Sequence, residues 1–485
     1  MQYENWEVRD FSQGYIDKLD DNLLPENACS DCQNFISRRI GSLKKRPGQG
    51  RLQNSGVDMV PLVGPILGLY SYYYGNPLVE RRLIIAANGE VKYWDGTSIS
   101  NLNSGLSTTQ QIFFETCANY LVAFSGVDAP WKWDGTTVSP LLNAPPTGRY
   151  PTLHKEKLFV VPILDPSTLY WSESFAPEDW PAVNFWPIKE GDGDKITNLQ
   201  KFLGELVIFK GRSIHSLRGS HLGDFRLDEI ESSVGCAGPR AAVSYKNFIY
   251  FISEVGIHVF NGMKAENISL EIIPELWESV NKEHIHKAVA GVWDGLIWFA
   301  LPEGTSETNN LVLIYEPTPG GLGKFWIWRG INISCIETFD DGGDVSFYSG
   351  DYGGYVNQQY VGTADFGSDI NAYWESKSFD IGRAAYEKKA RKVFVEDSPA
   401  HANNDVGVAT LKASLDGAAF NTLIYRTDNR LVREYAFNTG IQWRNIKFRI
   451  EHTGMDECEI RSILMPFRYK RRPRVKEIKM MVQVE

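Results

Sequence analysis

Apolar positions along this chain come in short runs, and the runs recur. Leu83-Ile84-Ile85-Ala86 is followed by Tyr93-Trp94-Asp95-Gly96, and Leu121-Val122-Ala123-Phe124 by Lys132-Trp133-Asp134-Gly135. Looser copies read Leu158-Phe159-Val160-Val161 with Tyr170-Trp171-Ser172-Glu173, Leu206-Val207-Ile208-Phe209 with Ser216-Leu217-Arg218-Gly219, and Phe248-Ile249-Tyr250-Phe251 with Val259-Phe260-Asn261-Gly262. Two degenerate copies end at Tyr315 and Tyr355. The anchors Trp94, Trp133, Trp171, Leu217, Phe260, Tyr315 and Tyr355 are 39, 38, 46, 43, 55 and 40 residues apart. Apolar runs separated by Gly, Asn or Asp turns predict hairpins, because those residues tolerate the positive φ of tight turns. A repeat of about 40–50 residues built from strand pairs predicts a β-propeller blade. One blade cannot bury both of its faces; stacking blades around an axis does. Seven anchors in order favour this architecture over a β-sandwich with fortuitous spacing. Six or seven blades are expected, one of them closed by strands from distant segments, with the anchor aromatics packed between blades.

The same pattern divides the chain. Residues 1–54 read as a polar, extended leader suited to docking. Residues 55–365 are the propeller. One inserted helix is predicted near 273–289, with Leu276, Val280 and His284 on one face, which accounts for the 55-residue gap. From 370 to 469 apolar residues alternate with charged ones, as in Ala390-Arg391-Lys392-Val393-Phe394-Val395-Glu396. That is the period of half-buried strands, and about 100 residues of them predict a C-terminal β-sandwich. Residues 470–485 read as a basic tail. The expected fold class is therefore all-β, a six- or seven-bladed propeller followed by a sandwich.

Composition adds compartment and charge. The aromatic share of 13%, with 14 Trp and 22 Tyr, suits an all-β protein rich in packed interfaces. No apolar run reaches the length of a membrane span, and Met1-Gln2-Tyr3-Glu4-Asn5-Trp6 has neither the basic nor the apolar part of a signal peptide. Six Cys in 485 residues make no disulfide framework. Residues 51–369 hold 22 basic and 37 acidic residues, whereas 370–485 hold 21 and 15. An acidic body repels nucleic acid. A basic module on it suits docking to an acidic neighbour, such as another copy of the chain.

Candidate chemistry is sparse. Cys29-Ser30-Asp31-Cys32 is a lone CxxC without the second pair that zinc needs. His284 and His286 share a face only on a strand, and their segment reads as helical. Asp192-Gly193-Asp194 and Asp340-Asp341-Gly342-Gly343-Asp344 have the oxygen ligands of a calcium loop, but read first as solvated turns. Ser414-Leu415-Asp416-Gly417 echoes the Asp-box turn of sialidase propellers and occurs once. Pro319-Gly320-Gly321-Leu322-Gly323-Lys324 lacks the spacing and hydroxyl of a phosphate loop. No nucleophile–base set stands out, so no enzyme, cofactor or metal is expected. The candidate partner-docking residues are Arg38, Arg39, Lys44, Lys45 and Arg46 in the leader, and Lys470, Arg471, Arg472 and Arg474 at the end.

The leader carries a resemblance. Asp10-Phe11-Ser12-Gln13-Gly14, then Leu23-Leu24-Pro25-Glu26-Asn27-Ala28, Asp31-Cys32-Gln33-Asn34-Phe35 and Gly41-Ser42-Leu43-Lys44-Lys45-Arg46-Pro47-Gly48 resemble a recurrent opening of phage tail proteins. The chain is similar to the tail nozzle family of short-tailed phages, which includes tail tubular B and packaged-DNA stabilisation proteins. The Cys29/Cys32 pair is a departure from that pattern. The resemblance implies a virion structural protein, assembled in the host cytoplasm as a homohexameric ring at the distal end of the tail. Its neighbours would be an adaptor or gatekeeper ring and other tail proteins such as fibres. Double-stranded DNA would pass its channel without sequence-specific binding, retained until ejection. Two alternatives stand beside it: a carbohydrate-binding or host-recognition propeller whose exposed Trp and Tyr stack on sugars, and a glycosidase.

Overall fold

Seven times along the chain, four strands fold back on one another into a small antiparallel sheet. The computed structural model describes residues 3–75, 79–318, 322–382, 386–397, 409–426, 432–437 and 442–470. It divides into two units, Pro47–Gly367 and Met1–Arg46 with Ser368–Glu485.

The first unit is a β-propeller. Six four-stranded antiparallel sheets and a further antiparallel set of four strands over Val289–Arg329 make seven blades. Blade 1 runs Ile66–Tyr74, Glu80–Ala87, Glu90–Trp94 and Ile99–Ser104. The first strands of blades 2 to 7 are Phe113–Cys117, Gly148–His154, Ile196–Phe202, Ala242–Tyr245, Val289–Trp293 and Cys335–Asp340. Each first strand touches those of the blades before and after it, and the last touches the first, so these strands line the axis of a closed ring. The apolar runs of the repeat are the second strands. Lys157–Pro162 and Leu296–Leu301 are buried at every position. Neighbouring blades cover both faces, so the runs are continuous rather than alternating.

Six of the seven anchors lie at or next to the ends of third strands, between blades, as expected; Tyr355 instead lies just before the third strand of blade 7. Trp94 packs on Phe339 and Tyr348 of blade 7, and Trp133 on Tyr72 and Tyr93 of blade 1. Trp171 and Leu217 share one core between blades 3 and 4. The turns after Trp94, Trp133 and Phe260 are held by the carboxylate or amide of the next residue. Asp134 Oδ1 accepts the Thr136 and Thr137 N–H groups at 2.8 and 2.6 Å, and Asn261 Oδ1 does the same for Met263 and Lys264. The next residue in both turns is a glycine at positive φ, +97° at Gly135 and +93° at Gly262.

The ring closes with a strand from far away. Gln49–Arg51 pairs with Val356–Gln359 and becomes the fourth strand of blade 7. Gly48 leads into it, and a Cβ there would lie 2.0 Å from the Ala364 carbonyl oxygen. The expected leader over 1–54 is therefore corrected: it divides after Arg46, and its last residues, from Pro47 onward, belong to the propeller. Its first 46 residues belong with the C-terminal unit. There Glu4–Val8 pairs with Glu459–Tyr469, and Ala28–Gln33 with Ile370–Ser376, which pairs in turn with Ile446–Gly454. Trp6, on the first of these sheets, stacks on Phe448 of the second at 5.5 Å. Ile446, Phe448 and Ile450 are buried while the residues between them are half-buried, the alternation of strands with one core face.

The expected helix over 273–289 is also corrected. Only Pro274–Glu278 is α-helical, and Ile285–Lys287 forms one 3₁₀ turn. Competing partners end the helix: Ser279 Oγ donates back to the Leu276 carbonyl, and the Asn281 N–H goes to Pro302. Among the described residues no helix is long and apolar enough to cross a membrane.

Candidate functional site: a cationic cavity on the propeller axis

Closing seven blades brings seven strand entries together. Between them lies a cavity of about 450 Å³. Each blade contributes the residues at or just before its first strand: Leu67, Gln111, Arg149, Lys195, Arg240, Lys287 and Ser334 from blades 1 to 7 in order. Four consecutive blades contribute a cation. Among the described residues no Asp or Glu lines the cavity.

Arg240 reaches across the ring. Its Nη1 donates to the Ser334 carbonyl at 3.2 Å, and its Nη2 to the carbonyls of Leu67 at 2.5 Å and Ile112 at 3.4 Å. One side chain of blade 5 thereby holds the entries of blades 7, 1 and 2. Burial pulls its guanidinium pKa down, with the nearby Cys335 and Tyr352 opposing. Among the described residues no carboxylate pairs with it. Arg149 packs over the Tyr150 ring at 4.9 Å, and its Nε is buried without a hydrogen-bond partner. Lys287 Nζ donates to the Glu307 carbonyl at 2.9 Å. Further along the axis the sign reverses. Glu115 accepts from Tyr70 at 3.3 Å and pairs with Lys201 at 3.2 Å. Burial pushes the Glu337 carboxyl up to about 8, with Glu115 adding to it.

The residues singled out in the sequence fall mostly elsewhere. Arg38 and Arg39 are exposed. Lys44 is exposed and ion-paired with Glu457. Lys45 and Arg46 are corrected: both are buried, not available for docking. Lys45 Nζ donates to the Gly454 carbonyl at 2.8 Å, and Arg46 Nε to Asn34 Oδ1 at 3.0 Å. A buried cation needs such partners, so this basic run is internal bracing. Lys470 is exposed and pairs with Glu387 at 3.1 Å. Arg471, Arg472 and Arg474 lie outside the described residues, as does Pro319-Gly320-Gly321.

Cys29 and Cys32 are buried free thiols on a strand, and burial raises the Cys29 thiol well above its ordinary range. That is the environment of inert cysteine. The Asp192 carboxylate is taken by the buried Lys210 ammonium at 2.7 Å. Asp194 accepts the Gly211 and Arg212 N–H groups. Asp341 caps its own turn through Gly343 and Asp344. Among the described residues no cluster of His, Cys, Asp and Glu has the form of a metal site. Asp416 accepts the Arg444 and Asn445 N–H groups at 2.8 Å, a structural turn. His286 alone of the sequence candidates lines the cavity. The cavity cations were missed, although one signal was there: a Lys or Arg at or just before the first strand of four successive repeats.

No family model matches the chain, and no curated protein does. Among solved structures it is similar to extracellular domains of BT4673 from B. thetaiotaomicron, described in one case as a one-component system and in another as a hybrid two-component system. The first is 10% identical over 67% of this chain and 41% of that one, with a TM-score of 0.45. The second is 9% identical over 68% and 44%, with a TM-score of 0.46. The chain spans less than half the length of both.

Proposed function

We propose that this chain is a non-enzymatic structural protein of a short-tailed phage, forming a sixfold nozzle ring that retains packaged DNA and opens for ejection. The observation that carries the reading is the placement of the leader phrase. Leu43-Lys44-Lys45-Arg46-Pro47-Gly48 spans the hand-over between the two units. Its Lys45 and Arg46 are buried braces, and its Gly48 fits only without a side chain. The phrase on which the resemblance rests is thus architectural, as a structural protein requires. Charge supports the ring. The propeller unit holds 22 basic and 36 acidic residues, the other unit 28 and 24. Opposite signs on two parts of one chain favour head-to-tail contact between copies, the kind that closes rings.

The adaptor ring and fibres would be the neighbours, and the virion the location. Mass measurement of the purified chain and of virion-assembled material tests the reading. Six copies per particle are expected; a stable monomer in both overturns it. For the glycan-binding alternative, none of the 14 Trp is fully exposed, and the ring surface on offer is half-buried Trp such as Trp186 and the exposed Tyr3. The axial cavity supplies no carboxylate pair for glycoside hydrolysis.

A further inference from the structure

The axial cavity runs against the composition around it. The propeller unit is rich in carboxylates, yet four cations converge here and, among the described residues, no acid lines the wall. They come from equivalent places in the repeat. Arg149, Lys195, Arg240 and Lys287 each lie within two residues of where the first strand of their blade begins. Ring closure therefore points one cation per blade from blades 3 to 6 at one volume. Two of the four are arginines, whose planar forks match the oxygens of phosphate and carboxylate. Among the described residues no carboxylate pairs with the two arginines. Arg240 has carbonyl partners only, and Arg149 keeps a buried Nε without a partner. Leaving the buried Arg149 donor in this state is costly unless a ligand completes it.

An adjoining cleft shares Lys195 and His286 and carries Asp192, Asp194, Glu254 and Glu283. Asp192 is committed to Lys210, and Asp194 to backbone N–H groups. Arg149, Arg240 and Lys287 line the cavity and not that cleft.

We infer that the axial cavity binds a small phosphorylated molecule, with Arg149 and Arg240 on phosphate oxygens and Lys195 and Lys287 completing the charge. Phosphate is favoured over a lone carboxylate by number. Four cations meet a multiply charged group, whereas a single negative charge leaves most of them unmatched. A volume of about 450 Å³ lies in the range of small-molecule sites. Tyr150 and Tyr352 offer ring surface to the organic part.

Calorimetric titration of the full chain with pyrophosphate at low salt tests the inference. One ion should bind per chain, with affinity falling steeply as salt is raised. Arg149→Gln and Lys287→Gln should each weaken binding about tenfold. Lys201→Gln, at the opposite end of the axis, should leave it unchanged. Lys287 is half-exposed, so its variant keeps the test alive if the arginine variant does not fold. Absence of binding overturns the site, and so does equal binding by the Arg149→Gln/Lys287→Gln double variant. Citrate binding as tightly as pyrophosphate overturns the assignment to phosphate.

Discussion

The Arg51 guanidinium lies 3.6 Å from the centroid of the Tyr355 ring, and the Phe366 ring lies 3.6 Å from it as well. The same group donates to Asp351 Oδ2 at 3.1 Å and Asn357 Oδ1 at 2.6 Å. Arg51 is the last residue of the strand that completes blade 7. The clasp therefore bears on ring closure, and it gives Tyr355, one of the two degenerate repeat anchors, a function. Arg51→Ala should destabilise the propeller by about 2–4 kcal/mol, since it takes the cation from the Asp351 carboxylate and empties the stack. Arg51→Lys should recover little, because an ammonium has no planar fork. Urea unfolding of both variants checks this.

Two glycines of the repeat separate backbone strain from crowding. Gly96 and Gly135 sit at φ +96° and +97° in equivalent turns. A Cβ on Gly96 meets open space, but one on Gly135 would lie 2.1 Å from the Tyr74 ring. Gly96→Ala should cost only the left-handed backbone term, about 1 kcal/mol. Gly135→Ala should cost clearly more, about 2–4 kcal/mol, because the Tyr74 ring must move. Equal losses in parallel urea titrations would contradict this packing.

Stability should respond to pH from both sides. Glu337 is raised by burial to about 8, above its unfolded value. The native state then holds a proton that the unfolded chain has lost, so this contribution to stability declines as pH rises from about 5 to 8. Glu337→Gln should remove that decline and gain roughly 1–3 kcal/mol at pH 8, the axis being open enough to screen part of the charge. His154 and His258 are lowered to about 4 by burial. Their contribution is present above pH 6.5 and lost as pH falls towards 4. His154→Gln/His258→Gln should flatten the acid limb, as read by melting temperature against pH.

The acidic turn at 192–194 gives a metal test. Lys210 is fully buried and donates to both Asp192 oxygens and to the carbonyls of Ile188 and Lys189. Asp192→Ala should cost about 2 kcal/mol by leaving that ammonium without its carboxylate. Millimolar calcium should leave the melting temperature of the parent chain unchanged. A calcium-dependent rise would return the turn to the status of a metal loop.

The blades were legible in the sequence because their signal is local. An apolar run, a turn and an aromatic such as Trp133 all lie within one repeat, and strand burial on both faces makes the runs stand out. The leader was misread because its partners are remote. Glu4 faces Phe467 across the sheet, a pairing that leaves no local trace. Lys45 and Arg46 were misread because charge in a sequence suggests solvent, whereas partners such as the carbonyl of Gly454 and the amide of Asn34 make their burial tolerable. The helix was overextended because Leu276 and Val280 have helical spacing, while the Ser279 hydroxyl and the Pro302 carbonyl decide otherwise. The axial cavity left only a scattered trace, a Lys or Arg near the first strand of four successive repeats, because its lining is gathered from all seven blades.

The strand Gln49–Arg51 has a consequence for biosynthesis. Arg51 and Asn357 are 306 residues apart in sequence, so the ring cannot close until nearly three-quarters of the chain has left the ribosome. Until then blade 7 lacks its third strand, Val356–Gln359, and the strand Gln49–Arg51 waits with unpaired backbone groups. Contacts of such long sequence separation slow folding, and open strand edges invite association with neighbouring nascent chains. The nascent chain would thus meet its greatest aggregation hazard in the interval before residues 356–359 emerge.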